Sequence, residues 1–192
     1  MTSFTIIGTG NMGGAIGSLL AAGGNDVTYI GRQDSGAAPI AGEYVVLAVP
    51  YPAVHGILES YAGRLDGKVI VDITNPLNFE TFDSLTVPAG SSAAAEIQAK
   101  LPKSTVLKAF NTNFAATLAG RQIGGLPTTV LVAGPAGRAK QDLIAAVIAG
   151  GLAAKDAGSL ARAHELEAIG FLQLTLAVGE EIGWTGGFAV AA

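Results

Sequence analysis

The most constraining stretch is Phe4-Thr5-Ile6-Ile7-Gly8-Thr9-Gly10-Asn11-Met12-Gly13-Gly14-Ala15-Ile16-Gly17. An apolar run ends in Gly8, Gly10 and Gly13, and a helical pattern follows. This is the G-x-G-x-x-G dinucleotide-binding pattern in its proper context, with a strand before it and a helix after it. Gly8 permits the tight turn out of the strand. Gly10 has no Cβ, so the backbone can approach a pyrophosphate, and Gly13 lets the helix pack closely on the strand. The helix N-terminus offers free N–H groups and a positive dipole end to phosphates. With 27 glycines in the chain, three at this spacing alone would equally describe a ligand-free turn. The context decides for a binding loop. Met12, Ile16, Leu19 and Leu20 recur at helical spacing, Gly23-Gly24 stops the helix, and a second strand is predicted at Asp26–Gly31.

Tyr44–Val49 is a continuous apolar run, as in a parallel strand buried on both faces. Only Arg32–Glu43 lies between it and the second strand, where a Rossmann half ordinarily holds a helix and a third strand. Twelve extended residues reach roughly 40 Å, enough to return and cross a neighbouring strand but not to add a helix and a strand. The crossover is therefore shortened, and the second strand becomes a sheet edge. Beyond Pro50 the pattern predicts a helix over Ala53–Tyr61 and a strand over Lys68–Asp72. Ile73–Gly90 reads as a long loop, of a length that is usually functional. A Ser-capped helix over Ser91–Lys100 follows, then a strand at Thr105–Phe110 and a turn of helix at Phe114–Leu118. Further on come a strand at Thr128–Ala133, a helix at Gly137–Ile148, an edge strand at Ala153–Ala157 and the longest helix, Leu160–Val178. The second half of that helix is apolar almost all round, which predicts burial in the core or against another subunit. The tail Gly186–Val190 is flexible and apolar. The fold class is α/β: one Rossmann-type domain over residues 1–192, a mostly parallel sheet with helices on both faces, and a long C-terminal helix.

Composition narrows the function classes. Of the 192 residues, 49% are hydrophobic and 14% charged, which excludes general disorder. No apolar run reaches the roughly 18–20 residues of a membrane span. The N-terminus carries no basic region before an apolar stretch, so no secretory signal is read and cytoplasm is the expected compartment. There is no cysteine, hence no thiol catalysis and no disulfide framework. A net charge of −4 without a basic stripe argues against nucleic acid.

Nucleotide preference is read at the end of the second strand. An acidic residue there binds the ribose 2′-hydroxyl in NAD-type sites. This chain has Gly31-Arg32 instead, and a guanidinium suits a 2′-phosphate through bidentate charge-assisted bonds. Thr9 and Gln33 can add hydrogen bonds. Asp34 stands against this, since it serves a ribose if the register slips, but NADP is favoured over NAD.

No side chain stands out as an acid or base. His55 reads as a partly exposed structural histidine, and His164, among Arg162, Glu165 and Glu167, as part of a solvated helix face. Lys108 points from a strand end toward the site, where it meets either an anionic substrate tail or Asp72. Asn75 and Asn111 sit at strand ends, where amides orient a ring carbonyl or else serve turn chemistry.

The motifs Ile7-Gly8-Thr9-Gly10-Asn11-Met12-Gly13-Gly14, Gly31-Arg32, Leu47-Ala48-Val49-Pro50, Asp72-Ile73-Thr74-Asn75-Pro76, Lys108-Ala109-Phe110-Asn111-Thr112 and Asp156-Ala157-Gly158 together resemble the NADPH:coenzyme F-420 oxidoreductases. Glu165–Phe171 is similar to that family's C-terminal helix. The cytoplasmic domain of membrane ferric reductases looks similar too. The resemblance implies hydride transfer between NADP and a 5-deazaflavin, or a flavin, with no protein acid or base required. Carried over, Thr9 to Met12 hold the pyrophosphate and Arg32 the 2′-phosphate, while Val49, Pro50, Tyr51 and Val54 line the nucleotide. Asn111 and Thr112 precede Ala115, which falls where the family's backbone binds the nicotinamide amide. Asn75 and Pro76 flank the deazaflavin pocket. The chain departs from the family in its missing helix after strand two, in lacking a Lys near the 2′-phosphate, and in having His164 where Arg is usual. The expected assembly is a homodimer closed by the long helix and tail. The rival readings are a reductase of imine or carboxylate-bearing substrates and a non-catalytic NADPH sensor.

Overall fold

A computed structural model of the chain describes residues 1–34 and 36–191. Its nine strands and six helices run in the order β1 (Ser3–Ile7), α1 (Asn11–Ala22), β2 (Asp26–Ile30), β3 (Tyr44–Leu47), α2 (Tyr51–Ser60), β4 (Val69–Asp72), α3 (Ala93–Lys100), β5 (Thr105–Lys108), α4 (Ala115–Gly120), β6 (Gln122–Ile123), β7 (Leu126–Pro127), β8 (Thr129–Ala133), α5 (Arg138–Ala149), β9 (Ala153–Gly158) and α6 (Ala163–Val178). A short 3-10 turn, Leu160–Arg162, leads into α6.

Seven strands form one sheet in the order β2-β1-β3-β4-β5-β8-β9. All neighbours are parallel except β5 and β8, which meet through the single antiparallel pair Lys108 and Ala133. β2 is an edge, as the twelve-residue connection requires. The strand order reverses at β1, which pairs with β2 on one side and β3 on the other. The crevice above that reversal is where open α/β sheets bind ligands.

The continuous apolar runs follow from burial on both faces. Alternation sends Ile6, Val46, Val71 and Leu107 to one core, shared with Ile16 and Leu20 of α1 and with Leu143 and Val147 of α5. Ile7, Val45, Leu47, Ile70 and Val106 enter the other, against Val54 and Leu58 of α2 and Ile97 of α3.

The structure departs from the local expectations or adds to them at four points. α2 starts at Tyr51 rather than Ala53, because Pro52 fits a first turn, where its missing N–H is no loss. The α3 cap is Ser92, not Ser91; its hydroxyl accepts from the Ala95 N–H at 3.1 Å. The hairpin β6–β7 was not expected. Its turn is Gly124-Gly125, both at positive φ, which suits a two-residue hairpin loop. α6 buries one stripe, Ala163, Leu166, Glu167, Gly170, Gln173 and Ala177, while Leu172 and Val178 stay exposed. The core thus covers one side of its second half, and the other side is open in the single chain.

Candidate functional site

The loop from Gly8 to Asn11 stands between two hollows. Gly8 has φ +111°, and a Cβ there would lie 2.2 Å from the Ala48 carbonyl oxygen, so the turn out of β1 admits only glycine. At Gly13 a Cβ would lie 2.1 Å from the Gly8 carbonyl oxygen, which sets how closely α1 approaches the turn. Gly10 differs: no atom comes within 4 Å of its would-be Cβ. That vacant space lies at the start of α1, where no side chain caps the helix. The first helical bond runs from the Gly14 N–H to the Gly10 carbonyl, so the N–H groups of Asn11, Met12 and Gly13 point outward with the positive dipole end.

The first hollow, about 500 Å³, lies over the ends of β1, β2 and β3. Gly8, Thr9, Gly10, Gly31, Arg32, Val49 and Pro50 line it, with Ile57 from α2. Arg32 is exposed at its lip. Asp34 is near by, with Oδ2 at 3.7 Å from where a Cβ on Gly31 would stand.

The second hollow, about 380 Å³, lies past Asn11. Its twelve lining residues include Asn11, Met12, Asn75, Asn111, Asn113, Phe114, Ala115 and Trp184, and none of the twelve titrates. Asn75 and Asn111 are locked together. Asn75 Nδ2 donates to the Asn111 carbonyl at 2.9 Å; Asn111 Nδ2 donates to Asn75 Oδ1 at 2.9 Å and to the Leu166 carbonyl at 2.8 Å. α6 presses on this pair through Gly170, where a Cβ would stand 2.3 Å from Asn75 Oδ1. A third, larger depression of about 640 Å³ runs along the far flank of α1, between Ser18 and Arg121, and shares Thr9, Gly10, Asn11 and Ala115 with the other two.

Beneath the second hollow lies a charge cluster without solvent access. Lys108 Nζ is 2.8 Å from Asp72 Oδ2 and 2.7 Å from Glu167 Oε1, and donates to the Thr74 carbonyl at 2.5 Å. Lys108, Asp72 and Glu167 are all 0% exposed. Glu167 Oε2 also accepts from the Ala93 N–H at 2.9 Å, at the N-terminus of α3, whose dipole offsets the excess negative charge. Burial pushes the Glu167 carboxyl above its ordinary value, and Lys108 pulls against that shift. One cation and two carboxylates thus join β4, β5, α3 and α6. Lys108 is therefore the partner of Asp72 and has no path to a substrate tail. Glu167, expected on a solvated face, is the correction here. It falls in the same stripe as Ala163, Leu166 and Gly170, and that spacing is the signal that could have placed it inside.

The remaining expected residues are placed as follows. Tyr51 and Val54 do not reach the first hollow. Helix α2 turns them toward α3, where the Tyr51 hydroxyl bonds the Glu96 carboxylate and Val54 is core. Burial and then Glu96 hold the Tyr51 hydroxyl protonated well above the usual tyrosine range. Pro76 is buried, and its carbonyl accepts from Thr86. Thr112 is buried, and its carbonyl accepts from Gln173 Nε2 at 3.2 Å. His55 is exposed between Glu59 and Lys100. His164 Nδ1 lies 3.1 Å from the Ser91 carbonyl. Trp184, Phe114, Gln173 and Gly170 were not singled out from sequence. A lone tryptophan in an otherwise small-residue tail was the available sign.

No family model matches the chain. It is 34% identical over 126 residues to metalloreductase STEAP3 of Rattus norvegicus, a match that spans 65% of this chain and 24% of that protein. The chain therefore spans about a quarter of the length of that relative. Among solved structures, a candidate F420-dependent NADP-reductase from Arthrobacter sp. FB24 superposes with a TM-score of 0.83 at 24% identity, covering 100% of both chains. A reductive aminase from Aspergillus terreus in complex with NADPH and ethyl-5-oxohexanoate gives a TM-score of 0.64 at 19% identity, covering 94% of this chain and 63% of that one. These likenesses establish the Rossmann-type fold. Among the described residues, no helix is long and apolar enough to cross a membrane.

Proposed function

We propose that the chain is an NADP(H)-dependent oxidoreductase that passes a hydride between NADP and a deazaflavin or flavin acceptor. The observation that carries this reading is the division of the crevice by an uncapped helix N-terminus, with Arg32 in the hollow on one side and a hollow without titratable side chains on the other. The vacant space at Gly10 and the outward N–H groups of Asn11, Met12 and Gly13 fit a pyrophosphate. Arg32 takes the 2′-phosphate, and Val49 and Pro50 flank the adenosine side. Ala115 and Asn111 border the second hollow, which takes the nicotinamide and, against it, the acceptor ring.

When bound, NADPH supplies the hydride with its electron pair, and a solvent proton completes reduction of the acceptor. The chain's own part is placement. The Asn75–Asn111 pair fixes the floor of the second hollow through the backbone of α6, and Phe114 with Trp184 limits its access to water. Positioning two rings at contact distance is the larger share of such catalysis. The lining without acid or base supports a ring acceptor over an imine or a hydroxy acid, either of which needs a proton donor or acceptor at the reacting atom. The open hollow beside Ala115 and Asn111 supports an enzyme over a sensor with a blocked nicotinamide end. Exposed Leu172, Val178 and Phe188 on α6 and the tail support a homodimer through this face.

Calorimetric titration with NADPH and NADH tests the cofactor. Loss of NADPH absorbance on adding FMN or a 5-deazaflavin then tests the acceptor. The reading requires NADPH to bind more tightly than NADH and to be oxidised only when the acceptor is present. Equal affinity for the two nucleotides, or no oxidation with either ring, overturns it.

A further inference from the structure

Trp184 is the single tryptophan of the chain, and it is 53% exposed. Half of the ring is thus free to meet a ligand, and what matters is where the strap around it places that free face. It does not hang on a frayed end. Gln173, 1% exposed on α6, accepts from the Phe188 N–H at 3.0 Å through Oε1 and donates to the Thr112 carbonyl through Nε2. One buried amide thus ties the tail to the loop after β5. Between the end of α6 and Phe188, the Gly186 N–H closes a turn on the Gly183 carbonyl at 2.8 Å. This strap holds the indole against Phe114, with ring centroids 5.0 Å apart and planes at 55°.

The pair forms one wall of the second hollow. Leu174 stands beside it, and Met12 and Ala115 come from the glycine-loop side. The amide oxygens of two other lining residues, Asn111 and Asn113, are buried and have no donor among the described residues. The wall is therefore aromatic and uncharged, and the two amide oxygens lie buried behind it. A planar fused ring matches such a wall, because its face stacks on an indole.

We propose that Trp184 is the residue that determines acceptor specificity. Its exposed surface stacks on a planar fused-ring acceptor, so the site prefers flavin-sized heteroaromatic rings over small aliphatic acceptors. This rests on the hydride-transfer reading above. Trp184 is a contact residue for the acceptor, while the glycine loop and Arg32 carry most of the hold on the nucleotide.

The test uses the full-length chain saturated with NADP⁺, to which FMN or 5-deaza-FMN is added. All tryptophan emission comes from position 184, so stacking is read as saturable quenching of that emission. In turnover with NADPH, Trp184→Leu raises the acceptor KM about tenfold, the size of one lost aromatic contact. Trp184→Phe restores most of that loss, and in both variants the acceptor KM changes by a larger factor than the NADPH Kd read by calorimetry. Quenching by neither ring, or an unchanged acceptor KM in Trp184→Leu while NADPH is still bound and oxidised, overturns the inference and leaves the hydride-transfer reading standing. A parent chain that binds no NADPH sinks the hydride-transfer reading instead, and calorimetry reports that independently of any Trp184 variant.

Discussion

The two hollows beside the N-terminus of α1 are built in opposite ways. The first takes its walls from residues 7–10, 30–32 and 48–57, three strand ends that the parallel register already places side by side. Backbone and glycine shape it. The second gathers residues 11–12, 73–75, 110–116, 174 and 184, and the strands alone do not bring the last two there. α6 and its tail must dock first, and their docking depends on buried polar groups: Lys108 with its two carboxylates, Asn111 on the Leu166 carbonyl, and Gln173 on Thr112. On the proposed function the first is the nucleotide end and the second the acceptor end, so the acceptor end depends on one tertiary contact set that the nucleotide end does not share.

Removing the cation beneath the second hollow separates the two most strongly. Lys108→Met leaves Asp72 and Glu167 buried together without a counter-charge, and breaking a buried pair in this way costs about 3–5 kcal/mol. Urea unfolding reads the loss. Acceptor turnover falls further than NADPH affinity does, because α6 loosens while β1–β3 remain. If both fall together, the two hollows are one cooperative unit and the contrast fails.

The glycine loop gives the next contrast. Gly8→Ala puts a Cβ 2.2 Å from a backbone oxygen in a residue at φ +111°, a strain of about 2–3 kcal/mol that unfolding measures directly. Gly10→Ala meets no protein atom and has an ordinary φ of −72°, so its stability stays within about 0.5 kcal/mol of the parent. Its NADPH affinity drops all the same, because the methyl enters the space assigned to the pyrophosphate. An unchanged affinity in Gly10→Ala would remove the phosphate from that place.

Arg32→Ala sharpens the nucleotide end alone. Losing a charged hydrogen-bond partner weakens NADPH by about 1.5–3 kcal/mol and leaves NADH and the acceptor KM as they were. Titration of both nucleotides decides it, and equal losses would return the ribose to Asp34.

The same contrast explains what could be read from the residues alone. Gly8 and Gly13 were legible because their constraints are local: a turn at positive φ and a close approach of helix to strand. The shortened crossover was legible by arithmetic, since twelve residues cannot hold a helix and a strand. Tyr51 and Val54 carried the family's pattern, but the early start of α2 at Tyr51 rotates them toward α3. Glu167 was hidden by its neighbours Arg162 and Glu165, which pair with each other on the exposed side at 2.7 Å. Its true partners lie far away in sequence, at 93, 94 and 108. The Gly124-Gly125 turn of the β6–β7 hairpin was visible, but two-residue strands offer no alternation to confirm it.

Glu167 also supplies the smallest and most discriminating test. Its carboxyl is raised because burial outweighs the Lys108 attraction and the Ala93 N–H. The folded chain therefore keeps a proton that the unfolded chain has already released, over the window from the ordinary carboxylate range up to the raised folded value. The native state binds more protons there, so stability falls as pH rises through that window, by at most about 1.4 kcal/mol per pH unit for one proton. Glu167→Gln keeps an acceptor for the Ala93 N–H and removes the titration, which leaves Lys108 and Asp72 as a neutral pair. Unfolding free energies of parent and variant compared from pH 4.5 upward should show the parent's relative stability declining as pH rises. A parent that instead gains on the variant would mean that Lys108 attraction exceeds the desolvation of Glu167. The cluster would then be a net source of stability for the acceptor end, and the two ends of the crevice would be more alike than their construction suggests.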